Sequence, residues 1–208
     1  MAMNKTSVLI IAMSIFPLAH AENSHAEQRL KYDFFSAELT SGTMSGLYAA
    51  GKSDNTTALS IGVSHQLAER RVLLISDYSA RFYHPNDETI EQYRLRFGAG
   101  YHWSIIDKLD LVSHARVGVL RISSDYTVDN ETRSVFGADI GLRYLIRPDW
   151  EASLFAEANY NHWQDEYVLT LRTDYQLSKR LALGGLVTYR DGEWQNINEV
   201  GITMRIHY

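Results

Sequence analysis

Eight arginines and eight carboxylates stand out for their spacing: most fall two residues apart, or a multiple of two, within short stretches of the chain. The arginines are Arg81, Arg94, Arg96, Arg116, Arg143, Arg172, Arg190 and Arg205; the acids are Glu38, Asp77, Asp110, Asp139, Glu151, Glu157, Asp174 and Glu199. A planar guanidinium matches a carboxylate through paired N–H donors, and it does so best where water is scarce. The chemistry open to this set is therefore ion pairing in an enclosed space, or charge selection if water threads between the pairs. His114 lies on the same alternation beside Asp110 and Arg116, which suits a hydrogen-bonding member of that set rather than a general base.

Catalytic sets are poorly represented. His84 with Asp87 and His162 with Asp165 are the nearest histidine–acid pairs, both in polar connecting segments. Hydrolytic chemistry needs a nucleophile within reach of such a pair, and no serine stands out as a partner, so no catalytic residue is assigned. The eight histidines are scattered without ligand spacing on one face, so neither a metal nor a cofactor is expected. Gly98-Ala99-Gly100 lacks the strand-to-helix setting of a phosphate loop. The absence of cysteine excludes disulfides, thiolate metal sites and a cysteine nucleophile. A net charge of −5 gives no footprint for nucleic acid.

The elements that carry these residues alternate with period two, the signature of strands with unlike faces. Val200, Ile202, Met204, Ile206 and Tyr208 share one face of the last strand, opposite Glu199, Gly201, Thr203, Arg205 and His207. Tyr93, Leu95, Phe97, Ala99, Tyr101 and Trp103 oppose Arg94, Arg96, Gly98, Gly100 and His102. Phe136, Ala138, Ile140, Leu142, Tyr144 and Ile146 oppose Gly137, Asp139, Gly141 and Arg143. Two residues break the polarity of their strand, Val112 and Leu120. Ten strands are expected, with eight as the alternative. Short connections fall near Ala68-Glu69-Arg70, Asp107-Lys108, Arg147-Pro148-Asp149 and Ser178-Lys179-Arg180. Five longer ones fall near residues 52–56, 84–90, 126–132, 162–165 and 191–196. Alternating short and long connections suit an all-β, antiparallel up-and-down barrel.

Residues 1–21 read as a secretory signal peptide. Lys5 supplies the positive charge, Ser7 to Leu18 an apolar run too short to span a bilayer, and Ala19-His20-Ala21 the small-x-small cleavage site. Residues 22–30 follow as a short polar lead-in, and residues 31–208 form the barrel.

Alternation alone does not say which face is inside. A soluble barrel buries its apolar face; a membrane barrel turns that face to lipid and keeps a polar interior. Three features favour the membrane. Aromatics gather at the strand ends of the apolar face: Trp103, Tyr144, Trp150, Tyr175 and Tyr208 near the short turns, and Phe82, Tyr93, Phe136, Tyr160, Tyr167 and Tyr189 near the longer loops, as headgroup-level girdles do. The polar face uses arginine almost to the exclusion of lysine; the mature chain's lysines (Lys31, Lys52, Lys108 and Lys179) lie at strand ends. The chain finishes on an aromatic preceded by alternating apolar residues (Val200, Ile202, Met204, Ile206, Tyr208), which looks like an assembly signal. In these features the sequence resembles the small Gram-negative outer-membrane β-barrels of the OmpX and OmpA-barrel kind, over essentially the whole mature chain.

That resemblance implies an outer-membrane location after cleavage following Ala21, with termini and short turns in the periplasm. It implies outer-membrane lipid, lipopolysaccharide and the barrel assembly machinery as partners of a monomer that binds no nucleic acid. The short turns are basic and the outer segments acidic (Asp54, Asp87, Glu88, Asp125, Asp129, Glu131, Asp165, Glu166, Asp191 and Glu193). Ten strands lie near the size that side chains fill, while the inward glycines (Gly62, Gly98, Gly100, Gly118, Gly137, Gly141 and Gly184) reduce the filling. The expected function is a non-enzymatic barrel with a charged, largely filled lumen, contributing to envelope integrity or surface interaction. The alternative is a narrow, porin-like passive channel for ions or small polar solutes; a lipid- or peptide-modifying enzyme stands well behind.

Overall fold

The computed structural model describes residues 30–46, 54–67, 71–84, 89–124, 127–161, 165–193 and 195–208. The expected signal peptide, the lead-in up to Arg29, and Asp87 and His162 of the two histidine–acid pairs lie outside the described residues. Ten strands form: β1 (Phe34–Gly46), β2 (Asp54–Gln66), β3 (Val72–His84), β4 (Ile90–Ile106), β5 (Leu109–Ser124), β6 (Thr127–Arg147), β7 (Trp150–Asn161), β8 (Asp165–Gln176), β9 (Leu181–Gly192) and β10 (Gln195–His207). Each pairs antiparallel with its chain neighbours, and β1 pairs with β10 to close the barrel.

The register fixes the dimensions. Following paired residues once around, from Ile90 through Tyr83, Thr56, Gly42, Glu199, Thr188, Thr170, Phe155, Gly141 and Val112, returns to β4 at His102, twelve residues from the start. With ten strands, that stagger tilts the strands by about 40° and sets a backbone radius of about 10 Å. Side chains from opposite walls can meet across such a lumen.

The outer surface is apolar. Leu39, Ile61, Val117, Ile140, Leu171, Val200 and Ile202 are all exposed, as a face turned to lipid requires. On β7 the girdle residues Trp150 and Tyr160 stand ten residues apart along the tilted strand. That separation spans about 25 Å along the barrel axis, the height of the apolar band of an outer-membrane barrel.

The two rims differ. At one, the turn end, short connections join β2–β3, β4–β5, β6–β7 and β8–β9 beside both ends of the barrel segment. At the other, the loop end, the β5–β6 connection is shorter than the alternation suggests. Residues 127–132 belong to β6, which runs 21 residues. Its first part pairs with β5 but extends beyond β7, whose pairing begins at Val135↔Asn161. The seam at the turn end is held by Tyr208, whose ring packs on Phe35 and His65 and whose hydroxyl reaches the Ser64 carbonyl at 3.2 Å.

Candidate functional site: inward-facing ion pairs and the segment before the first strand

Because side chains alternate across a strand, every second residue of all ten strands points inward. The seventeen ionisable residues picked out above (eight arginines, eight acids and His114) all stand on inward positions, and they meet in three groups stacked along the axis.

Nearest the loop end, Glu199 on β10 pairs with Arg81 on β3 and with Arg190 on β9 (3.0 Å), and accepts the Thr40 hydroxyl at 3.2 Å. Arg190 continues to Glu166 at 3.3 Å, which Arg94 approaches from the opposite wall at 3.5 Å. In the middle, Arg96 binds Asp77 (2.9 Å) and Glu157 (2.6 Å). Arg116 binds Glu157 (3.0 Å) and Asp139 (2.7 Å), and His114 Nδ1 meets the other oxygen of Asp139 at 2.7 Å. Asn159 joins these two groups: its carbonyl oxygen accepts from Arg96 at 2.6 Å, while its amide donates to Glu166 at 3.2 Å.

Toward the turn end the pairs run in a chain. Arg172 links Glu38 to Asp174, gripping Asp174 through two N–H donors (2.7 and 3.2 Å). Arg205 links Asp174 (3.3 Å) to Glu151 (2.9 Å). Arg143 then holds Glu151 with two bonds of 2.8 Å. Arg96, Arg143, Arg205 and Glu199 are all under 5% exposed, so the guanidiniums and carboxylates occupy the lumen themselves. Asp110, the remaining acid of the set, lies at the turn end and accepts a bond from a tyrosine that enters from outside the strands.

That tyrosine is Tyr32, in the segment Leu30–Asp33 that precedes β1. It is 3% exposed, inside the mouth of the barrel. Its hydroxyl donates to Asp110 at 2.6 Å, its ring stacks on His102 (centroids 4.3 Å apart), and the Arg143 guanidinium lies 4.4 Å from its centroid. Arg143 also donates to the Lys31 carbonyl at 3.0 Å. Beneath the ring, Leu73 and Val112 are buried, with Leu30, Ile75 and Phe155 packed around them. Asp33 fixes the outer end of the segment by accepting the Gln66 backbone N–H at 2.7 Å and pairing with His65 at 3.0 Å. Burial holds the Lys31 ammonium below its ordinary pKa. Beside the segment opens a vestibule of about 650 Å³ whose lining includes Glu151, Asp174, Arg205 and His207.

Several of these features escape the sequence pattern. Glu166, expected in an acidic outer segment, points inward on β8 and is a hub of the upper group; a strand boundary one residue earlier separates the two readings. Val112 and Leu120, which break the polarity of β5, are inward and almost fully buried. Leu73, Ile75 and Phe155 share that inward apolar character, as do Met44, Tyr83 and Ile197, which pack on one wall near the loop end. Three of the inward glycines, Gly100, Gly137 and Gly141, do not leave the lumen open as their size suggests. A Cβ on Gly100 would collide with the His114 imidazole, one on Gly141 with the Phe155 ring, and one on Gly137 with Asn159 at 2.6 Å. Neighbouring side chains lie flat over these glycines and fill the space. Of the histidine–acid candidates, His84 is at the end of β3 within 3.4 Å of the Thr89 hydroxyl. Among the described residues, no three His, Asp or Glu side chains converge as a metal-binding group.

A closed antiparallel barrel with an apolar outside, aromatic girdles and an arginine–carboxylate interior is the architecture of the outer-membrane β-barrels. No family model and no curated protein matches the chain. Among solved structures, the translocator domain of the autotransporter NalP from Neisseria meningitidis shares the fold. Its TM-score is 0.51 over 86% of this chain and 90% of that one, at 9% identity. Weaker likenesses are the NanC porin (TM-score 0.48, 12% identity, covering 83% and 100% of the two chains) and the neisserial surface protein NspA (TM-score 0.44, 14% identity, covering 84% and 96%).

Proposed function

We propose that the protein is a non-enzymatic barrel of the Gram-negative outer membrane whose lumen does not conduct, and which serves envelope integrity or surface interaction. The turn end, with both ends of the barrel segment, faces the periplasm; the loop end, with the projecting part of β5 and β6, faces outward. The lipid face contacts outer-membrane lipid and lipopolysaccharide. Val200, Ile202, Met204, Ile206 and Tyr208 present the assembly signal, and the mature chain begins after Ala21 as a monomer.

The observation that carries this reading is the connected set of ion pairs from Arg94–Glu166, through Asn159, to Asp77, Arg96, Glu157 and Arg116. An ion crossing the lumen would have to displace these mostly buried pairs, and separating buried charges without replacing their partners is costly. One observation favours the narrow-channel reading instead: the vestibule opens from the turn end as far as Glu151 and Arg205 in its lining.

Planar-bilayer recording of the refolded mature protein separates the two. Insertion without steady openings is expected. Reproducible, salt-dependent openings of the unaltered protein would transfer the assignment to a passive channel.

A further inference from the structure

We infer that Leu30–Asp33 is a built-in plug, and that the inward apolar residues around Leu73 and Val112 are its socket. Leucine, isoleucine, valine and phenylalanine on the inner face of a membrane barrel have no lipid to meet. Left facing water, they would forfeit the gain of burying their apolar surface. Leu73, Ile75, Val112 and Phe155 come from β3, β5 and β7, yet they converge at one depth, where Leu30 and Tyr32 cover them. The polar attachments surround this apolar seat. The Tyr32 hydroxyl is tied to Asp110 on β5, its ring lies between His102 on β4 and Arg143 on β6, and Arg143 also holds the Lys31 carbonyl. Asp33 clips the segment to the end of β2. Six strands, β2 to β7, thus grip four residues that belong to none of them. A chain merely passing the rim on its way into β1 needs none of these contacts.

Asp33 anchors the segment to the barrel seam, its carbonyl accepting the Tyr208 N–H at 3.4 Å, while Leu30–Tyr32 are held through side chains and the Lys31 carbonyl, so these three residues can leave and return while the barrel stays intact. With them out, the vestibule deepens to the Leu73–Val112 floor; with them in, that floor is dry. The segment shares Arg143 with the turn-end chain of ion pairs and touches neither of the two groups further up the lumen.

The chain has no cysteine, so one introduced thiol reports on one place. The experiment places that thiol on the socket floor with Leu73→Cys in the refolded mature protein and measures its rate of modification by a small, positively charged methanethiosulfonate. The same rate is then measured with Tyr32→Ala and, separately, with Tyr32→Phe. Folding of each variant is checked by its heat-modifiable migration on a gel. Slow modification of Leu73→Cys alone is expected, rising at least tenfold with Tyr32→Ala and by a smaller factor with Tyr32→Phe, which keeps the ring but loses the bond to Asp110. Equal rates in all three proteins would overturn the plug, as would a thiol that stays protected when Tyr32 is truncated. If Tyr32→Ala does not fold, the Tyr32→Phe rate decides: faster than Leu73→Cys alone supports the plug, unchanged overturns it. The labelling reads the socket and not ion flow, so it stands apart from the bilayer result whichever way that falls.

Discussion

Two glutamates on neighbouring strands show how position sets the worth of a charge. Glu199 has a fully buried side chain and two arginines, Arg81 and Arg190, besides the Thr40 hydroxyl. Glu38 has one arginine, Arg172, and its side chain is 30% exposed. Removing the charge of Glu199 leaves two guanidiniums buried beside each other without their shared counter-ion; removing that of Glu38 leaves Arg172 still gripped by Asp174. Glu199→Gln is therefore expected to destabilise the barrel by about 3–5 kcal/mol, and Glu38→Gln by less than about 1 kcal/mol, as for a solvent-screened pair. Urea unfolding midpoints of the refolded variants in one lipid measure the difference. Similar losses for the two would mean that water reaches the upper group as freely as the lower one.

At the scale of the strand, everything follows from parity. The same period of two that puts Glu199, Thr203 and Arg205 inside puts Val200, Ile202 and Met204 outside. Ile202 is 67% exposed and stands mid-strand on the lipid face. Ile202→Arg and Leu142→Arg each place a charge in hydrocarbon and are expected to cost about 2–4 kcal/mol. Thr203→Arg sends a charge into an already arginine-rich lumen and probes the inner face instead. The two outward variants should lose heat-modifiable folding in lipid vesicles; normal insertion of both would contradict a lipid-facing surface.

Parity is also what made ten strands, both girdles and the inward arginines legible in the sequence, since alternation survives without knowledge of any partner. Strand ends were less legible, because an acidic residue at a boundary reads as loop whichever way it points; Glu166 is the example. The apolar inward residues were visible only as exceptions, as with Val112. Val112 packs against Tyr32, 80 residues away in the chain, and no local pattern records that contact. Gly100 and Gly141 read as gaps because the rings that cover them, His114 and Phe155, come from other strands.

For the whole molecule, the plug at the turn end and the ion pairs in the middle are barriers in series. In such an arrangement current is limited by whichever barrier remains, so neither lesion alone should open the lumen. Tyr32→Ala leaves Asp77, Arg96, Glu157 and Arg116 in place; Glu157→Ala leaves Tyr32 seated on Asp110. The double variant is expected to give small, steady openings in a planar bilayer where each single variant is nearly silent. The charge left behind sets their selectivity. Without Glu157, Arg96 and Arg116 lose the carboxylate they share, and the opening should prefer anions. With Arg96→Ala in place of Glu157→Ala, Asp77 and Glu157 each lose an arginine, and the preference should turn toward cations. Reversal potentials in a salt gradient read this sign directly. Openings from either single variant as large as those of the double would show that the barriers are not in series, and an unchanged sign between the two doubles would place the conducting path away from Arg96 and Glu157.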